Sequence, residues 1–564
     1  MDRRTALFAG LGVLAAAALP RRLAHAQAGS AAPAAGDPIA TLPSLGEGEV
    51  VGGLPFSPRW YGDVFRENAL PFHNCEDCDG RRPVADEVLD VAVVGGGLSG
   101  LATAHALRDR RVALFDLRPR FGGNAMGERW RGLQWSLGSA YFMSPDRGSR
   151  LAQLYTELGV DAQVRVDESP LTFEWESQVT AELAGPRATR EELAQVAAYR
   201  ARVAYYANDA YPDIPFEGAP SRELAALDAQ SFQAALEEAC GGPLPARLAY
   251  ALQAYCYSSF GVGMHELSAA AGWNFVAAEE FGRWILPGGN AGLAHALWRA
   301  LAREERRHGS GGLLGNIAGG PLLRPGATVT TIDRHPQGAL VRWRDADGRV
   351  HRSLARHVVL ANAKHIARHL MPWLAQAEPE KFEAMEQVPT VAYVVANVIL
   401  SRPVPPELYD LFLGGDASYP MDDYAFSQRP IIADAVNGTF ADRTLGPGAV
   451  LTLYWPLPWH TARFTIVQPE QWRDYAAMGA PQIAHMLSLV GLAPSDVLQV
   501  RLTRWGHAMP YARPGALSGG LPAALRRPVD GRIWFANQDN WLLPAVETCL
   551  LEGFAVADKV RGAL

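Results

Sequence analysis

Three glycines and a following acid most clearly define a chemistry. Gly95, Gly97 and Gly100 occupy the fixed positions of G-x-G-x-x-G, with Gly96, Leu98 and Ser99 between them. In that pattern the first glycine permits a tight turn and the second lets backbone approach a pyrophosphate. The third lets a helix pack close to a strand. Asp116, 21 residues beyond Gly95, is placed to accept hydrogen bonds from ribose hydroxyls. The elements that must position these groups surround them. Asp90-Val91-Ala92-Val93-Val94 reads as a buried parallel strand, and Leu101–Leu107 continues the turn as a helix. The helix start offers N–H groups and a positive dipole end to phosphates. Val112–Phe115 reads as a second strand ending at Asp116. Strand, turn, helix, strand and acid in this order predict a Rossmann-like dinucleotide cradle. The motif does not separate NAD from FAD.

The continuation narrows the choice. Asp116-Leu117-Arg118-Pro119-Arg120-Phe121-Gly122-Gly123-Asn124 is followed by Trp135-Ser136-Leu137-Gly138-Ser139-Ala140-Tyr141. Here the chain resembles the flavin-containing amine oxidase superfamily, which includes carotene-type desaturases and protoporphyrinogen oxidases. Further segments are similar to that family: Leu286–Asn290 before a helix, Ala327–Ile332 with Val329, His357–Ala361, Ile533–Asp539, and Glu547–Gly553 after Val546. The resemblance implies FAD as cofactor, held by Gly95, Gly97, Leu98, Ser99, Gly100, Asp116, Leu117, Arg118, Gly122, Gly123, Asn124, Gly138, Ser139, Val329, Asp539 and Val546. Asn124 stands where the family usually has a basic residue. Gln538 stands near its usual acid, with Asp539 adjacent.

The same resemblance implies a hydride acceptor at flavin N5, so the protein must place a donor C–H over the ring and exclude water. Two aromatics flank the substrate nitrogen in typical amine oxidases. Tyr511 is similar to one, and Trp541 is the nearest aromatic to the other; Tyr141 is a candidate pocket wall. The family's frequent lysine near N5 is absent from Val391–Leu400, where Asn397 is the only polar side chain after Tyr393. That absence fits a dehydrogenase passing electrons to a quinone or haem protein. Three functions remain open: oxidation of a C–N bond in an amine or amino acid, oxidation of C–C bonds in an apolar isoprenoid-type substrate, and non-catalytic flavin binding or electron transfer. His265 and His507 read as hydrogen-bonded structural histidines. No metal site is expected.

Composition bounds the rest. The 564 residues are 48% hydrophobic and 20% charged, with a formal net charge of −7, so a nucleic-acid surface has no electrostatic support. Residues 1–26 read as an export signal: Arg3-Arg4, an apolar run from Ala6 to Leu19, and Ala24-His25-Ala26. The paired arginines suit the twin-arginine export machinery, with a general secretory signal as the alternative, and the location expected is periplasmic or secreted. No other apolar run is long enough to span a membrane. Residues 27–85 read as a leader, Ala-, Gly- and Pro-rich over 27–60. It carries Cys75-Glu76-Asp77-Cys78, open to a disulfide, to free thiols, or to a metal site with His73. The fold class expected is α/β: a Rossmann-like FAD domain (86–150, 285–375, 511–564) interleaved with a mixed helix and sheet substrate domain (151–284, 376–510). Thr189–Asn208 and Ser221–Cys256 read as amphipathic helices, and Thr390–Leu400 and Val450–Trp455 as strands.

Overall fold

The computed structural model describes residues 35–63, 85–215, 217–309, 320–406, 408–413, 432–442, 448–457 and 462–564. The expected export signal and the Cys75/Cys78 pair lie outside them. Two large sheets carry the architecture. The first is built on parallel pairing of Glu87–Val94 with Arg111–Asp116 and with Val350–Leu360. Gly320–Pro325 and Ile533–Phe535 add further parallel strands, and Gly338–Arg344 and Thr328–His335 extend it antiparallel. Strands covered on both faces need continuous apolar runs rather than alternation. Val91, Ala92 and Val93, and Val112 through Phe115, are accordingly fully buried.

The helix Leu98–Ala106 lies against this sheet at a distance only glycine allows: a Cβ on Gly100 would fall 1.8 Å from the Gly95 carbonyl oxygen. The C-terminal helix Val546–Ala563 packs closely against that helix in turn, a Cβ on Gly553 falling 2.7 Å from the Ser99 carbonyl oxygen. Distant parts of the chain thus close on one cradle.

The second sheet has nine strands. Its centre is Thr390–Leu400, buried at every position and antiparallel to both Ala449–Leu457 and Val497–Pro510. Asp434–Asn437 and Asp410–Phe412 continue it on one side. Helices cover it. Thr189 caps Arg190–Asn208 with a reciprocal capping box to Glu192. The stretch 221–256 divides into Arg222–Asp228, Phe232–Cys240 and Ala246–Phe260, started by Ser221, Ser231 and Pro245.

One expectation is corrected. The described part of the supposed leader is folded into a separate three-stranded sheet and into the nine-stranded one. Ile39–Thr41 pairs in parallel with Gly127–Trp130, and the hairpin Glu49–Val51/Leu54–Gly62 completes the edge of the nine-stranded sheet beside Val497–Pro510. Bulk composition hides the cause, which is local. Leu54 and Phe56 alternate inward and are fully buried, and Gly52 and Gly53 supply the left-handed turn at φ +57° and +83°.

Candidate active site

One cavity of about 990 Å³ runs from the glycine turn into the second sheet. At the turn, Gly95 has φ +106°, and the Gly122 N–H donates to the Gly96 carbonyl at 2.7 Å, which holds the two glycine turns side by side. A Cβ on Gly97 would meet nothing nearer than the Gly123 Cα, at 3.8 Å. The space over this backbone therefore belongs to the cavity. Asp116 closes the adjoining wall: its Oδ2 accepts from the Gly96 N–H (2.7 Å) and its Oδ1 from the Arg118 N–H (2.8 Å). Burial raises its pKa against the opposing pull of Arg118 and these two donors. Arg118 pairs with Asp63 and lies over the Trp505 ring, 5.3 Å from its centroid. Asp63 also accepts from the Gly506 N–H at 2.8 Å. The end of the strand Leu54–Gly62 is thereby tied to the residues around Asp116.

Further along, Asn124 Nδ2 donates to the Ala508 carbonyl (2.6 Å). Asp539 Oδ2 accepts from the Lys364 N–H (2.8 Å), and Lys364 Nζ donates to Asn537 Oδ1 (2.6 Å). Burial pushes the Lys364 ammonium down to about 8, against the attraction of Asp539 and Glu552. Gly97, Leu98, Ser99, Leu117, Gly122, Gly123, Gly138, Ser139, Val329 and Val546 all line the cavity. Gly100 does not, since it is spent on strand–helix packing. A continuous hollow that begins on bare glycine backbone, passes a ribose-type acid and ends beyond Trp505 fits FAD.

Aromatic side chains and carboxyls form the far half. Tyr141, Phe275, Tyr393 and Tyr454 line it, as do Asp434 and Glu547. The phenols are turned away to fixed acceptors: Tyr454 Oη donates to the Gly138 carbonyl (2.8 Å), Tyr393 Oη to the Ser258 carbonyl (2.8 Å), and Tyr141 Oη to Glu279 Oε1 (3.1 Å). Asp434 Oδ2 accepts from Ser258 Oγ at 2.7 Å. Behind it, Arg283 pairs with Asp167, with Glu279 (3.3 Å) and with Asp410 (3.5 Å). Burial raises the pKa of Glu279, Asp410 and Asp434; for Asp410 the neighbouring Asp434 adds to the rise. Burial opposes the Arg283 charge, but Glu279 and Asp410 outweigh it and raise its pKa. Elsewhere on the wall, His507 stacks on His365 with ring centroids 3.2 Å apart. Burial and Arg463 press His507 down to about 3, and burial and His507 hold His365 well below its ordinary range, so both are neutral.

Three candidate catalytic residues stand elsewhere. Tyr511 is fully buried outside the cavity and accepts from Arg513 Nε (3.0 Å). Trp541 is 8% exposed beneath the Arg526 guanidinium, 5.1 Å from its ring centroid. Asn397 shares a strand with the cavity residues Tyr393 and Val395, but it lies past the cavity, donating to the Ser136 carbonyl (2.9 Å) and Thr452 Oγ1 (3.0 Å). Each is held by packing or hydrogen bonds that sequence spacing does not reveal; Tyr141 alone of the four lines the cavity. Asp63, His365 and Asp434 also line the cavity and are not legible from the sequence. None has a motif, and the last sits in a short strand, Asp434–Asn437, whose neighbours only the sheet defines. Among the described residues no cluster of three metal-ligating side chains occurs.

Residues 93–158 match the family of NAD(P)-binding Rossmann-like domains. Cyclohexylamine oxidase from Brevibacterium oxydans IH-35A is similar in structure, with a TM-score of 0.58 at 18% identity over 84% of this chain and 99% of that one. The fold is that of the flavin amine oxidases. Putrescine oxidase in complex with putrescine is similar as well, with a TM-score of 0.57 at 18% identity over 84% of this chain and 99% of that one. In sequence, the oxidoreductase PigB of Serratia sp. (strain ATCC 39006) is 22% identical over 540 residues, covering 86% of this chain and 76% of PigB. The flavin amine oxidase fold explains why strands from three separated stretches meet in the first sheet, with the nine-stranded sheet forming the far wall of the cavity.

Proposed function

We propose that the protein is an exported FAD-dependent oxidoreductase that removes a hydride from the carbon of a C–N bond in an amine or amino acid. FAD, when bound, supplies the two-electron acceptor. The glycine turn, Asp116 and Arg118 hold its phosphates and ribose, and Tyr141, Phe275, Tyr393 and Tyr454 exclude water around the donor carbon. The observation that carries the reading is the end of the cavity. It is aromatic-walled and closed by the buried carboxyls Asp434 and Glu547. A carboxyl lining the pocket gains a further hydrogen-bond partner in a substrate nitrogen and none in a wholly apolar substrate. This favours C–N over isoprenoid C–C chemistry. The neutral His365/His507 pair adds no positive charge against a cationic substrate. With Val395 and no lysine following Tyr393 on the central strand, a quinone or haem protein is the acceptor that best fits; the Arg3-Arg4 pair supports twin-arginine export.

Anaerobic titration of the purified holoprotein against amines, amino acids and isoprenoids tests this. Bleaching of the flavin bands by an amine is the expected result. Bleaching by isoprenoids alone, or by nothing in the panel, would refute it.

A further inference from the structure

Beyond the glycine cradle, a cluster of acids lies at and behind the cavity wall. Asp167, Glu279, Asp410 and Asp434 are grouped with one guanidinium, Arg283. Asp410 and Asp434 are 4% and 2% exposed. Buried carboxylate oxygens ordinarily receive donors. Here Asp434 Oδ1, both oxygens of Asp410 and Glu279 Oε2 receive no hydrogen bond. Arg283 meets Asp167, Glu279 and Asp410, which read as its structural shell. Asp434 is different: Ser258 Oγ donates to its Oδ2, the Ala435 backbone and the Asp410 carboxyl are its other hydrogen-bond neighbours, and it alone of the four lines the cavity. The aromatic rings that line the cavity with it, Tyr393, Tyr454 and Phe275, carry negative quadrupoles on their faces, which favour a cation and do not compete for a carboxylate.

We propose that Asp434 is the specificity-determining residue for a substrate bearing a cationic ammonium group, which its carboxylate receives as a charge-assisted hydrogen-bond donor at the substrate end of the cavity. The assignment rests on the amine reading above and names the residue that meets the nitrogen. A cation seated there supplies both the missing donors and the missing positive charge. The groups that face Asp434 are Asp410, Ser258, Tyr393 and Tyr454, with Arg283 behind Asp410; none of them offers a free cation to the cavity.

The test compares binding of n-hexylammonium and its neutral counterpart n-hexanol to the dithionite-reduced holoenzyme, which cannot oxidise either, by anaerobic calorimetry. The wild type is expected to bind hexylammonium about tenfold or more tightly than hexanol, the ratio one charge-assisted hydrogen bond supplies. Asp434→Asn keeps the shape and is expected to bring the two probes within about twofold, with hexanol binding unchanged. Retention of the preference in the variant would overturn the proposal. Should the variant fail to bind flavin, the wild-type comparison decides alone: equal affinities for the two probes would equally overturn it. The two readings fail separately. Amine turnover without cation preference removes the Asp434 assignment and leaves the amine oxidation standing. Cation preference with no amine able to reduce the flavin does the reverse.

Discussion

Gly97→Val separates the cofactor cradle from the fold that carries it. Gly97 caps the helix Leu98–Ala106 with φ −72° and ψ −174°, a conformation a valine adopts without strain. The new Cβ meets no protein atom nearer than 3.8 Å, so the side chain projects into the cavity and not into the core. What it displaces is the approach of a pyrophosphate to the N–H groups at the helix start. A hydrogen bond to a charged group is worth about 1.5–3 kcal/mol, so losing two costs about 3–6 kcal/mol, or about 10² to 10⁴ in FAD affinity. Gly100→Ala is the contrasting change. Its Cβ would lie 1.8 Å from the Gly95 carbonyl oxygen, and the strain falls on the fold itself, with about 1–3 kcal/mol or more lost from stability. Titration of apoprotein with FAD, followed by flavin fluorescence, and denaturant unfolding of the same apoproteins give both quantities. If Gly97→Val binds FAD as tightly as wild type, or unfolds as easily as Gly100→Ala, the assignment of this turn to the pyrophosphate is wrong.

Other consequences are as direct. Asp63→Asn removes the anionic partner of Arg118, so FAD affinity should fall about tenfold in the same titration, with the hairpin that carries Asp63 still folded by circular dichroism. Asp116→Ala should weaken FAD retention about 10- to 100-fold while apoprotein stability changes little, because the carboxyl is already held in a costly buried setting. Tyr511→Ala should lower unfolding stability by about 3–5 kcal/mol, and turnover per folded molecule should stay near wild type, since Tyr511 is a core residue outside the cavity. His507, held down to about 3 in the folded protein, takes up its proton near pH 6.5 only when unfolded. Its contribution is therefore complete above pH 6.5 and is lost as pH falls toward 3. His507→Phe should reduce the pH slope of stability between pH 6 and 4 by about 1.4 kcal/mol per pH unit in guanidinium titrations, and an unchanged slope would remove this residue from the acid response.

The cradle is legible in the chain alone. Gly95, Gly97, Gly100 and Asp116 lie within 22 residues, and the turn, helix start and strand end they need are local structures set by backbone sterics and short-range hydrogen bonds. The strand Thr390–Leu400 was legible for a similar reason, because β-branched residues fill both of its faces. The folded hairpin before Asp63 was not, since its inward residues Leu54 and Phe56 have meaning only against the strand Val497–Pro510. The substrate end was decided by tertiary structure alone. Asp434 faces Ser258, 176 residues away, and Arg283 gathers acids from two separate strands and a 3-10 turn. Side-chain environment there depends on which surfaces the two sheets bring together, and a charge whose partners are that distant leaves no periodicity or spacing in the chain.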